Sequence, residues 1–295
     1  MKRAWTALAL LGVGLTSAAP ASAWCRMTTS PRQPTAAEPC IYPDPDTDPP
    51  ERFLEWERPC SAIALSVEAP SDDLSEAEVL GVLERSIETW ETVECDGTPL
   101  GIDIAILEER STCVAPLYRD DGGNVNTVMF VQDWGDRMYD PAAFAVTTVW
   151  HRRSTGEILD ADMEVNERRG PYGICPPDGC SDERIVDLEN VFTHELGHYL
   201  GLAHSAEPEA TMFASAVAGE TTKRTLTADD VEGMCEVYPE GTPAGECDYA
   251  PRGGLRLDCE EGGCAVSAPG RSDARGRLGL AALGLLGWVL ARRRR

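Results

Sequence analysis

Residues 193–205 read Thr193-His194-Glu195-Leu196-Gly197-His198-Tyr199-Leu200-Gly201-Leu202-Ala203-His204-Ser205, and they hold three of the four histidines in the chain. The pattern is H-E-x-x-H-x-x-G-x-x-H. On a helix, His194 and His198 stand one turn apart on one face, so both can reach one metal ion. Gly201 lets the backbone leave that helix through a conformation costly for any residue with a Cβ, and His204 then comes round as a third ligand. Three neutral imidazoles leave the fourth tetrahedral position open, which a catalytic zinc needs and a structural zinc does not. Glu195 lies beside His194 but off the ligand face, where it can hold and deprotonate a water at the open position. The plain alternative is a helix end capped by three histidines. The length of the pattern weighs against it, since it is far rarer by chance than the bare H-E-x-x-H.

The motif resembles that of the metzincin class of zinc endopeptidases. That class has a methionine turn beneath the metal. Here Met212 follows His204 in Glu209-Ala210-Thr211-Met212-Phe213, a spacing and setting similar to the matrixin branch, and Leu226–Met234 resembles the start of the matrixin C-terminal helix. Two departures stand out. Ala214 stands where matrixins often have proline, and the second, structural zinc site of many matrixins lacks its histidines. The resemblance therefore implies a single zinc. It also implies an α+β, zincin-like fold: an α/β-type N-terminal subdomain with a twisted mixed sheet, an active-site helix along the cleft floor, and a small C-terminal subdomain. The implied activity is endopeptidase hydrolysis with Glu195 as general base. Met212 would shape the floor under the metal without binding it.

Composition sets the compartment. Acidic residues outnumber basic ones 50 to 26, for a net charge of −24. Such a field repels nucleic acid and anionic membrane, and it suits an exported protein kept soluble by an acidic coat. Eleven cysteines point to an oxidising compartment. Ten are expected to form disulfides: Cys25, Cys40, Cys60, Cys95, Cys113, Cys175, Cys180, Cys235, Cys247 and Cys259. The odd one out is Cys264.

Residues 1–23 read as a secretory signal peptide, with Lys2 and Arg3 at its start, an apolar run at Ala7–Leu15, and Ala21-Ser22-Ala23 as the cleavage site before Trp24. Residues 24–55 form a proline- and acid-rich arm, expected to be extended and mostly exposed. Arg58-Pro59-Cys60 is a loose echo of the pro-segment cysteine that caps zinc in matrixins, but it runs straight into a strand, so Cys60 is assigned to a disulfide.

Residues 56–240 are assigned to the catalytic domain. Ile63, Leu65 and Val67 alternate like a half-buried strand. Ser75 and Glu78 form a capping box for a helix that buries Val79, Leu83, Ile87 and Trp90. Strands follow around Ile102–Ile106, Val128–Val131 and Phe144–Trp150. The segment 157–166 sets Leu159, Ala161, Met163 and Val165 against Asp160, Asp162 and Glu164. In metzincins an edge strand before the active-site helix pairs with extended substrate, a general mode of peptide recognition. Residues 157–166, or the segment just before them, are the candidate. The acidic face is either solvated or a calcium site, as clustered carboxylates suit a hard cation. His151 is expected at the surface or in the core rather than on the metal.

Cys175 and Cys180 are close enough to close a small ring. Ile185, Leu188, Phe192, Leu196 and Tyr199 form the inner side of the zinc helix, and Thr227 caps a last helix carrying Val231, Met234 and Val237. Residues 241–263 form a cysteine-containing linker in which Cys247 and Cys259 are expected to pair. In the tail, 264–295, the apolar run Leu278–Ala291 is 14 residues long. As a helix it spans ~21 Å, short of the ~30 Å hydrocarbon core. Cys264, the short apolar stretch and Arg292–Arg295 resemble the MYXO-CTERM type of bacterial sorting tail, in which the cysteine is the processing and attachment point.

The sequence thus predicts an exported zinc endopeptidase, secreted or held at the cell surface or outer membrane through its tail alone. Its partners are protein or peptide substrates, with one zinc and calcium as an optional second cation. The alternatives are a non-catalytic, zinc-stabilised surface adhesion module, against which the retained Glu195 argues, and a calcium-dependent surface structural protein.

Overall fold

The computed structural model describes residues 23–259, apart from 33, 36–37, 58–59, 121 and 240–246, together with the backbone of 278–286. The expected signal peptide up to residue 22, Arg58-Pro59, Cys264 and the arginine cluster lie outside the described residues.

Strand β1 (Cys60–Leu65) is an inner strand of a mixed sheet, one place from its edge. Residues 61–66 are all buried, where the alternation of Ile63 and Leu65 predicted one wet face. Helices pack on one side, and on the other Ala64 meets Cys113, Val125 and Leu257. A strand covered on both faces is the usual state of a parallel sheet interior. Val67, expected as the third strand residue, lies beyond β1 and is 48% exposed. Helix α1 (Glu76–Glu91) starts at the Ser75–Glu78 capping box and buries Val79, Leu83, Ile87 and Trp90 as predicted.

β2 (Asp103–Ile106), β3 (Asn126–Val131), β4 (Ala143–Arg152) and β5 (Ile158–Asn166) complete the main sheet in the order β4-β5-β3-β1-β2. β2, β1, β3 and β5 are parallel, and β4 is antiparallel to β5. Helices α2 (Leu188–Tyr199) and α3 (Ala228–Val237) follow. A last strand, β6 (Leu278–Leu286), lies antiparallel along the outer edge of β4, with its backbone at Leu283 opposite Thr147. No helix among the described residues is long and apolar enough to cross a membrane.

The expectation that residues 157–166 form the edge strand is corrected. β5 lies between β4 and β3, with Val165 opposite Ala145 on one side and Phe130 on the other. A tight turn, in which the Gly156 amide donates to Arg152 O at 2.8 Å, folds the chain back on itself. β4, the segment before, is the outermost of β1 to β5 on its side, and only β6 lies beyond it. The acidic side of β5 is not solvated either, since Asp160, Asp162 and Glu164 are all buried. Asp162 accepts the amides of Leu117 and Thr127, and Glu164 accepts the Tyr139 hydroxyl and pairs with Arg137.

The N-terminal arm is less exposed than its composition implies. Cys25–Arg26 pairs antiparallel with Leu202–Ala203, and Met27, Thr28, Thr29 and Leu54 are buried. The Met27 amide donates to Gly201 O, and the Leu54 amide donates to Met27 O. Backbone pairing to the end of α2 overrides the polar composition.

All ten expected cysteines pair, but Cys247 does not bind Cys259. The bridges are Cys25–Cys40, Cys60–Cys247, Cys95–Cys235, Cys113–Cys259 and Cys175–Cys180. The linker is not a free tether. The Asn124 amide donates to Gly254 O and the Thr112 amide to Leu257 O, so the segment lies along the 112–124 loop and its two cysteines face different neighbours.

Candidate active site

α2 begins later than the apolar pattern indicates. Asp187 is its N-cap and accepts the Asn190 amide at 2.9 Å. Ile185 lies before the helix, and Val186-Asp187 pairs in parallel with Tyr172-Gly173. Leu188, Phe192, Leu196 and Tyr199 face the core as predicted. The Trp90 indole donates to Thr193 O at 2.8 Å and so ties α1 to the middle of α2. The helix ends at Tyr199 with Leu200 as its C-cap, and the chain turns away at Gly201, where φ is +102° and a Cβ would come within 2.7 Å of Leu54 O. Only glycine meets both demands.

That exit brings His194, His198 and His204 together, with one ligand atom of each within 4.8 Å of the others. His194 Nδ1 lies 2.6 Å from Thr211 O, and His198 Nδ1 lies 2.8 Å from Leu202 O. A carbonyl can only accept, so in both rings Nδ1 carries the proton and Nε2 presents a lone pair. His198 Nε2 and His204 Nε2 are 3.2 Å apart. Burial, helped at His194 and His204 by the neighbouring imidazole, holds both of these rings well below the usual histidine range; burial brings His198 down to about 4. Neutral imidazoles with converging lone pairs are a zinc donor set. His194 Nε2 is buried with no hydrogen-bond partner among the described residues, as expected of an atom reserved for a metal. The residues present fit one zinc ion.

Glu195 is fully buried. Its Oε2 accepts the Thr147 hydroxyl of β4 at 2.7 Å, and its Oε1 has no hydrogen-bond partner among the described residues. Burial pushes the carboxyl up to about 8, against hydrogen bonds from Thr147. Met212 lies under the helix, so close to Gly197 that a Cβ there would overlap its sulfur and approach Trp90 Cζ2 to 2.9 Å.

Three supporting residues were not foreseen. Asp230 completes the Thr227 capping box, and its carboxylate also accepts the Thr211 and Met212 amides at 2.9 Å each. It thereby fixes the carbonyl that orients His194. The Thr227-x-x-Asp230 spacing signals the cap, but no local signal reveals the reach to the methionine turn. Lys223 is buried and donates to Phe213 O at 2.8 Å, with burial lowering it to about 8. Asp229 accepts the amides of Ala23 and Trp24 and the hydroxyl of Ser205, next to His204.

His151 is buried in the core with both ring nitrogens unpartnered among the described residues, and it is not in the metal-ligand group. Asp160 is also buried, with both oxygens unpartnered among the described residues; burial first, and Asp162 second, push its carboxyl well up.

Comparison with known proteins agrees with this geometry. The matrixin family model matches residues 55–239. The chain is 47% identical to Metalloendoproteinase 5-MMP of Arabidopsis thaliana over 178 residues, 60% of this chain and 44% of that protein. It is 37% identical to Metalloendoproteinase 2-MMP of the same plant over 110 residues, 36% of this chain and 28% of that one. It is 33% identical to human Neutrophil collagenase over 87 residues, 23% of this chain and 19% of that one. The chain thus spans less than half the length of these relatives. With the family model covering more than half of its residues, and the histidine triad standing as a metal-binding group inside the matched region, the chain belongs to the matrixin family.

Proposed function

We propose that this chain is a zinc-dependent endopeptidase acting on extracellular proteins or peptides. The observation that carries the reading is the convergence of three neutral imidazoles beside a buried carboxylate with one free oxygen. His194, His198 and His204 hold the metal. When bound, zinc supplies Lewis acidity, which acidifies a water and polarises a carbonyl. Glu195 Oε1 takes the proton of the attacking water and returns it to the leaving amine, as general base and then general acid. Met212 supports the floor of the site. β4 is the strand on which an extended peptide pairs. β6 runs along the same edge, so peptide pairs there only after the tail has moved or been removed.

The remaining organisation supports export. Residues 1–23 act as a signal peptide, 24–55 as an arm, 56–240 as the catalytic domain and 241–263 as a linker. Segment 264–295 sorts the protein to the cell surface, with Cys264 as its processing point, in the manner of bacterial MYXO-CTERM tails. The chain's matrixin relatives are typically secreted or extracellular, in keeping with this. Calcium is the second cation. The buried, unpartnered carboxylate of Asp160 beside Asp162 favours a hard cation there over a purely structural acid pair.

The test is hydrolysis of denatured casein by the disulfide-oxidised protein after removal of its tail, and by Glu195→Ala treated alike, with zinc determined in each. Cleavage by the parent alone, with one zinc in both, is the expected result. Equal zinc with no cleavage by either would favour the adhesion module, and a folded protein without zinc would overturn the proposal.

A further inference from the structure

Glu195 has two carboxylate oxygens in different circumstances. Oε2 accepts the Thr147 hydroxyl at 2.7 Å, and the same hydroxyl lies 3.3 Å from the Glu195 main-chain oxygen. Oε1 is buried without a hydrogen-bond partner among the described residues, as is Nε2 of the adjacent His194. Thr147 is itself fully buried, at mid-length of β4, with Met163 opposite it on β5. Its backbone is held by the sheet, and its branched side chain has few rotamers to choose from. The hydroxyl is thus a fixed donor on a rigid element.

A glutamate side chain has three rotatable bonds. Fixing one carboxylate oxygen fixes the direction of the other, which is how a positioned base gains over a free one. The geometry points to Thr147 as the positioning residue of the catalytic base: its hydroxyl clamps Glu195 Oε2 and so aims Oε1 at the water beside His194. This rests on the endopeptidase reading above and adds a role outside the H-E-x-x-H motif. Because Thr147 belongs to the strand proposed to pair with peptide, one residue connects the substrate-bearing edge to the base.

Thr147→Val keeps the size and branching of the side chain and removes the donor. Thr147→Ser keeps the donor and removes a methyl. With the zinc-loaded protein after removal of its tail, Thr147→Val is expected to lower kcat about 10–100-fold, with KM and zinc content unchanged, and Thr147→Ser to recover most of that loss. A second readout does not depend on turnover. In high-resolution crystal structures, the Glu195 carboxylate should leave its position in Thr147→Val and keep it in Thr147→Ser. An unmoved Glu195 in Thr147→Val, or a serine variant as impaired as the valine one, would overturn the assignment. If casein is cleaved by the parent and equally by Thr147→Val, the clamp is wrong while the endopeptidase reading stands. If neither the parent nor any variant cleaves, that reading fails, and the position of Glu195 still decides the clamp.

Discussion

Gly197 sits in the last turn of α2, where glycine is a poor choice on helix propensity alone, and alanine there would gain up to about 1 kcal/mol. The structure gives the reason for glycine. A Cβ would overlap Met212 Sδ, come within 3.0 Å of Met212 Cε and within 2.9 Å of Trp90 Cζ2. The Trp90 ring is pinned by its bond to Thr193 O, so the methionine turn has to yield. Overpacking of this kind costs about 1–3 kcal/mol. The net effect of Gly197→Ala is then a loss of up to about 2 kcal/mol, the clash less the propensity gain. Met212→Ala alone should cost about 2–5 kcal/mol as a cavity. In the Met212→Ala background the sulfur is gone, only the Trp90 contact remains, and Gly197→Ala should become close to neutral. The coupling energy between the two sites is therefore up to about 2 kcal/mol. Guanidinium unfolding of the metal-free, disulfide-intact protein measures all four corners of the cycle, with m expected to stay constant. If the two changes add to within about 0.5 kcal/mol, the fit of Met212 beneath Gly197 is not what excludes a side chain there.

Asp230→Ala removes the acceptor of the Thr211, Met212 and Thr227 amides in a buried setting. It should cost about 3 kcal/mol in chemical unfolding and weaken zinc binding about 10–100-fold in competition with a chelating dye, since His194 loses its fixed carbonyl. Zinc removal by a chelator should lower the melting temperature, and added zinc should restore it; a metal at a thousand times its Kd contributes about 4 kcal/mol. A melting temperature indifferent to zinc would contradict the triad as a binding site. For Asp160 and Asp162, burial raises both carboxyls in the folded state. The folded protein therefore holds protons that the unfolded chain gives up above pH about 4, and stability should fall as pH rises from there through the raised folded values. In zinc-saturated buffer, calcium should raise the unfolding midpoint more at pH 8 than at pH 5; an equal or absent response at both would leave the acid pair without an ion.

The centre of the site was legible because its chemistry is local. His194, Glu195 and His198 lie within one helical turn or so, and Gly201 with His204 reads as the exit from it. The capping box at Ser75 and the buried face of α1 are local for the same reason. What was not legible depends on the order of strands. Alternation along residues 158–166 correctly separates Met163 from Asp162, yet it cannot tell that loops cover the acidic side, so a buried face looked wet. Thr147 and Asp230 reach the site from 48 and 18 residues away in sequence, and nothing about an isolated threonine or a helix-cap aspartate announces such a reach. The pairing of Cys247 and Cys259 failed likewise, because neighbours in sequence lost to neighbours across the sheet.

The Cys60–Cys247 bridge encloses 187 residues of sequence separation and the Cys113–Cys259 bridge 146. Together they make nearly the whole matched domain a set of interlocked covalent rings. A single cut anywhere between Cys60 and Cys247 opens a ring without releasing a fragment. The nicked molecule keeps its mass and its histidine triad until a reductant arrives. Wear at exposed loops is thereby separated from loss of the metal-ligand group.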